Sequence, residues 1–112
     1  MGTFVLRLRE AGLNCMRVIA RKMLRDFWEQ HADAEQQLKA WFHEAEMAEW
    51  KSFENIKARY RSADVLPGNR VVFNIKGNTY RLVVKVHYNR GTVFIRFVGT
   101  HAEYDRIDAA KI

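Results

Sequence analysis

An α+β fold, with N-terminal helices packed on a mainly antiparallel β-sheet of about four strands, follows from three observations. Apolar residues recur at helical spacing from Arg21 to about Tyr60 and at a spacing of two from Arg70 to Val98. Pro67-Gly68-Asn69 breaks the chain where one period gives way to the other. The 112 residues suit one domain around one core, and 48% hydrophobic with 29% charged side chains excludes a disordered chain.

The elements follow in order. Residues 1–15 continue none of the later patterns and read as an N-terminal extension. Met16 is then a second plausible start, and the domain spans residues 16–112. Arg17 to Ala20 can form a short strand. Leu24, Phe27, Trp28 and His31 make one stripe of a first helix, and Leu38, Trp41, Phe42 and Ala45 repeat it on a second, from about Asp33 to Glu49. Asp33, with Gln36 three residues on, is a fair N-cap for that helix. A third, short helix covers Phe53 to Tyr60, capped by Ser52. Three strands follow, Arg70–Ile75, Thr79–Tyr88 and Thr92–Val98, joined by hairpin turns at Lys76-Gly77-Asn78 and Asn89-Arg90-Gly91. The polar tail, His101 to Ile112, suits a last short strand or turn.

Charge is unevenly spread along this order. The net charge is +6, and residues 67–112 hold eight basic but only three acidic side chains. Between Asp64 and Glu103 there is no acidic residue at all. Alternation sorts each strand into an apolar set for the helices and a mixed set with cations. Val71, Phe73 and Ile75 oppose Arg70, Val72, Asn74 and Lys76. Tyr80, Leu82, Val84, Val86 and Tyr88 oppose Arg81, Val83, Lys85 and His87. Val93, Ile95 and Phe97 oppose Phe94, Arg96 and Val98. If the mixed sets share a face, Arg70, Lys76, Arg81, Lys85 and Arg96 line it, with Val72, Val83, Phe94 and Val98 as apolar walls. Such a face suits single-stranded nucleic acid better than a duplex groove. A merely solvated face would carry the same cations, and Lys85 and the turn residue Arg90 fit that plainer role.

His101 stands at a strand end three residues before Tyr104. Imidazole and phenol near arginines suit metal-free RNA cleavage, which must activate a 2′-hydroxyl, stabilise a pentacovalent phosphate and protonate a leaving oxygen. Other chemistries lack their residues. The sheet has no carboxylate cluster for a two-metal nuclease, and the chain has neither a GxxxxGK[ST] loop nor an HExxH helix. Cys15, the single cysteine, cannot form an internal disulfide or a zinc site, and no apolar run is long enough for a membrane span; a cytoplasmic protein is expected.

Four segments carry a resemblance: MRVIARKMLRDFWEQHADAEQQLKAWF, EWKSFENIKARYRSADVL, NRVVFNIKGNTYRLVVKVHY and VFIRFVGTHAEYDRIDA. In this order and spacing, from Met16 to Ile112, the chain resembles the HigB toxins of bacterial type II toxin–antitoxin modules. The resemblance implies a RelE-like fold and cleavage of translated mRNA on the ribosome, with no metal and no small-molecule cofactor. It also implies a HigA-type helix-turn-helix antitoxin as partner. It makes Arg81 the phosphate and transition-state binder, His101 a general acid or base, and Lys76 a charge stabiliser or activator of the 2′-hydroxyl. Tyr104 becomes a second proton-transfer group or stacking platform, while Arg70, Arg96 and Lys85 hold RNA. The alternative is an inactive homologue that binds RNA or antitoxin without cutting.

Overall fold

The computed structural model describes residues 16–112; the expectation for residues 1–15 lies outside them. The elements are β1 (Arg17–Ile19), α1 (Arg21–Gln30), α2 (Glu35–Met47), α3 (Phe53–Arg59), β2 (Asp64–Leu66), β3 (Arg70–Ile75), β4 (Tyr80–His87), β5 (Thr92–Thr100) and α4 (His101–Tyr104). A 3₁₀ turn, Ala32–Ala34, joins α1 to α2, and another, Tyr88–Arg90, joins β4 to β5. The sheet has five strands in the order β1-β5-β4-β3-β2, antiparallel except for the parallel pair β1 and β5. The strand beyond the expected four is β2. It holds only three residues, too few for alternation to announce it. Among the described residues, no helix is long and apolar enough to cross a membrane.

The helical stripes and one sheet face form the main core. Leu24, Trp28, Leu38, Trp41, Ala45 and Ile56 meet Val71, Phe73, Ile75, Tyr80, Leu82, Val84, Val86, Val93 and Ile95. Phe73 is its centre, with the rings of Trp41, Trp50 and Tyr60 at 5.4, 6.1 and 5.1 Å. Truncating a buried aromatic such as Trp41 to alanine is expected to cost about 3–5 kcal/mol.

Two helix starts differ from the sequence reading. Asp33 does not cap α2, which begins at Glu35 with Ala34 at the cap position and no side-chain cap bond. Asp33 lies in the 3₁₀ turn instead, where its carboxylate accepts from Lys76 Nζ at 2.7 Å and from Tyr80 OH at 2.6 Å. Each carboxylate oxygen is thus engaged by a side chain, one of them a cation. Ser52 does occupy the cap position of α3, but its side chain makes no cap bond; the Asn55 side chain accepts from the Lys51 N–H at 2.7 Å there.

A β-bulge in β5 alters the faces. Val84 pairs with Ile95 and Val83 with Phe97, so Arg96 is the inserted residue. Alternation therefore inverts after Ile95. Phe97 passes to the outer face with Val72 and Val83, and Val98 passes to the helix side. This reverses the expectation that placed Phe97 with Ile95 and Val98 among the outer walls. Of the strand or turn expected for the tail, the structure has the turn, after the short helix α4. After α4 the tail turns back, and Ile107, Ala109 and Ile112 cover Val72 and Val83. The middle of the outer face is thus closed rather than an open apolar groove, and Val83 is fully buried.

Candidate active site on the outer face

The tail divides the outer face into two parts. At one end lie Arg70, Lys85, His87 and Phe94. At the other lie Arg81, Phe97, His101 and Tyr104.

The second group is held by local geometry. β5 runs into α4 through Gly99, which pairs with Arg81 across the β4–β5 ladder. Thr100 then caps α4. Its hydroxyl accepts from the Glu103 N–H at 3.1 Å, and the Glu103 carboxylate accepts from the Thr100 N–H at 2.8 Å, a complete capping box. One turn of helix puts His101 and Tyr104 on adjacent positions of one face. The Arg81 guanidinium lies over the Tyr104 ring, 5.9 Å from its centroid, and the ring of Phe97 lies 6.3 Å from the same ring. Arg81 Nη1 also donates to the Asn78 carbonyl at 3.2 Å. His101 Nδ1 faces Asp105 Oδ2 at 3.2 Å, which leaves Nε2 as the nitrogen able to meet a substrate. The imidazole is about half exposed. His101 is further fixed by its backbone N–H, which donates to the Thr79 carbonyl at 3.2 Å.

The other expected site residues are distributed differently. Lys76 does not join Arg81. It sits in the hairpin loop with a left-handed backbone, φ 53°, so strand alternation does not govern its side chain. Its ammonium bonds Asp33 on the helix side. The bonds from Lys76 and Tyr80 hold the Asp33 carboxyl below its ordinary value, and the same bond to Asp33 raises the Tyr80 hydroxyl. Arg70 lies on the outer face, with its Nε donating to the Ile112 carbonyl at 2.6 Å and Nη1 to the Pro67 carbonyl at 3.2 Å. Lys85 stands directly opposite both Arg70 and Phe94, and the Phe94 ring packs edge-on against His87 at 5.1 Å. Arg96 is exposed at the bulge.

Sequence reasoning passed over three contributors: Phe97, Asp105 and the Thr100–Glu103 box. The box was readable as T-x-x-E. The position of Phe97 depends on the bulge, which no glycine or proline marks. Among the described residues, no group of three or more His, Cys, Asp or Glu side chains could hold a metal ion.

The arrangement offers a cation that can grip a phosphate, the aromatic ring it lies over, and an oriented imidazole on the same turn as that ring. Comparison with known proteins points the same way. Residues 34–107 match the model of the HigB toxin family, described as the RelE-like toxic component of a toxin–antitoxin system. The mRNA interferase toxin HigB of Escherichia coli strain K12 is 33% identical over 92 residues, 80% of this chain and 88% of that protein. The mRNA interferases HigB of Escherichia coli O157:H7 and of Shigella flexneri align with the same identity and coverage.

Proposed function

This chain belongs to the HigB toxin family, the RelE-like toxic components of toxin–antitoxin systems, and from that premise we propose that it is an mRNA endoribonuclease acting on messages held in the ribosome. The observation that carries the reading is the group of Arg81 with Tyr104 and His101 of the capped turn, on a sheet face whose strands β3, β4 and β5 carry no acid.

In this reading Arg81 binds the scissile phosphate and stabilises the charge that gathers on its oxygens as the 2′-oxygen attacks. His101 Nε2 moves a proton, either from the 2′-hydroxyl or to the 5′-oxygen as the P–O5′ bond breaks. The products are a 2′,3′-cyclic phosphate and a 5′-hydroxyl. Asp105 holds the imidazole. Tyr104 serves as a platform, since its ring lies under Arg81 and beside the tilted ring of Phe97. Lys85 and Arg96 hold flanking phosphates, whereas Arg70 mainly ties down the tail. Lys76, bonded to Asp33, acts outside the phosphate site. The site is an open surface with few groups, so the ribosome supplies the alignment of the message, and alignment alone can carry much of the rate. The antitoxin is of the HigA type, with a helix-turn-helix domain, and the protein works in the cytoplasm.

The test is to map mRNA 5′ ends after brief induction of the wild type and of His101→Ala. Cuts inside translated codons, lost in the variant, are expected. Absence of cuts from soluble wild-type protein would instead favour a module that binds RNA or antitoxin without cleaving.

A further inference from the structure

On the ribonuclease reading above, we infer that Asp33 and Gln37, on the helix side of the sheet, are positioning residues for Arg81 and His101 on the outer side. They act through the loop between β3 and β4. That loop, residues 76–79, has different partners on its two sides. Towards the helices, the Lys76 N–H donates to the Gln37 side chain and the Lys76 ammonium bonds Asp33 Oδ2 at 2.7 Å. Asp33 Oδ1 also accepts from the hydroxyl of Tyr80, the first residue of β4. Towards the outer face, two successive loop carbonyls hold the site. Asn78 accepts from Arg81 Nη1 and Thr79 from the His101 N–H, each at 3.2 Å.

The loop needs the clamp. Lys76 and Gly77 both have left-handed backbones, φ 53° and 62°. Glycine adopts that conformation freely, but a residue with a Cβ does not, so Lys76 stays there because surrounding bonds hold it. Release of the Asp33 and Gln37 bonds lets the loop relax, and the carbonyls of Asn78 and Thr79 move with it. The guanidinium and the imidazole then lose their mutual setting although neither has been touched. Stability depends little on the same bonds. The Asp33–Lys76 pair is nearly half exposed on both sides, the class of ion pair that contributes least to folding.

The experiment uses purified Asp33→Asn, Gln37→Ala and the double variant, with wild type and Arg81→Ala as references. Cleavage of ribosome-bound mRNA, the thermal midpoint, and amide hydrogen exchange at His101 are measured. The double variant is expected to lose kcat on the order of tenfold, short of the 10²-fold of a full 1 Å misplacement. Its KM and midpoint stay near the wild-type values, and exchange at the His101 amide quickens while that at Val86, whose N–H bonds Asn69, does not. Combining Asp33→Lys with Lys76→Asp is expected to restore part of the lost kcat. A folded double variant with unchanged kcat and unchanged His101 exchange overturns the inference, as does a loss of kcat that merely tracks the folded fraction. If wild type itself makes no cuts, the ribonuclease reading fails, and exchange at His101 still decides whether the loop couples the two faces.

Discussion

Substituting Gly99 by alanine probes how tightly the α4 turn is built. A Cβ at this position would lie 2.6 Å from Cζ of Phe97 and 2.8 Å from Oε1 of Glu103. The backbone is not left-handed there, so the conflict is one of space alone. Both neighbours can move, but each movement has a cost. The Glu103 carboxylate would give up the Thr100 N–H and with it half of the capping box, worth about 0.5–2 kcal/mol. The Phe97 ring is packed beneath Tyr104, and overpacking of this kind costs about 1–3 kcal/mol. One relaxation serves both conflicts, so the gross cost is about 2–3 kcal/mol rather than their sum. The narrower unfolded ensemble of alanine offsets about 0.4–1 kcal/mol of it. A net loss of about 1–2 kcal/mol lowers the melting temperature by roughly 5–12 °C in a domain of this size. Thermal unfolding followed by circular dichroism measures it. Cleavage well below the midpoint is expected to fall by at least about tenfold, because His101 and Tyr104 ride on the displaced turn. An unchanged midpoint with an unchanged rate would refute the packing of Phe97 and Glu103 against Gly99.

Other outcomes follow from the same geometry. Arg81→Lys keeps the charge but loses the planar fork and its stacking on Tyr104, so single-turnover cleavage is expected to fall on the order of 10²-fold with little change in melting temperature. Tyr104→Phe is expected to keep most of the activity and Tyr104→Ala to lose it; a large loss in Tyr104→Phe would make the hydroxyl a proton-transfer group instead. Arg70→Ala removes the bond to the Ile112 carbonyl, and hydrogen exchange in residues 107–112 should quicken, with a stability loss of about 1–2 kcal/mol. Asp33 has a folded-state value below its ordinary 3.8, so its contribution is complete above that pH and is lost as pH falls through the lower value. The pair is exposed, so acid titration should show only a shallow limb in wild type, absent in Asp33→Asn.

How far the fold can be read from the residues depends on the length and regularity of each pattern. Strands β3 and β4 alternate without interruption, and their inner and outer sets were legible residue by residue. The helical stripes of Leu24–Trp28 and Leu38–Ala45 were equally plain, because apolar side chains recur over several turns. The single insertion at Arg96 was not legible, since an arginine in a bulge looks like an arginine in a strand. That one residue exchanges the sides of Phe97 and Val98. Asp33 misled in a different way. It has the chemistry of a cap, but its partners, Lys76 and Tyr80, lie more than forty positions away, and no local pattern reveals them. Of the candidate site, the sequence offers Arg81, His101 and Tyr104 only as separate residues. What gathers them, namely a carbonyl loop, a capping box and a displaced phenylalanine, comes from tertiary structure.

The pairing of β1 with β5 has a meaning in time. Arg17 lies beside Thr92 and Ile19 beside Phe94, so the first described strand has its ladder partner, among the described residues, far along the chain. Loops of that length close slowly, and contacts between distant segments form late. The turn that carries His101 comes later still. A nascent chain has its first three helices early but cannot complete its sheet or its candidate site until β5 and α4 have emerged. A chain built in this order has no complete candidate site while β5 and α4 are still inside the ribosome.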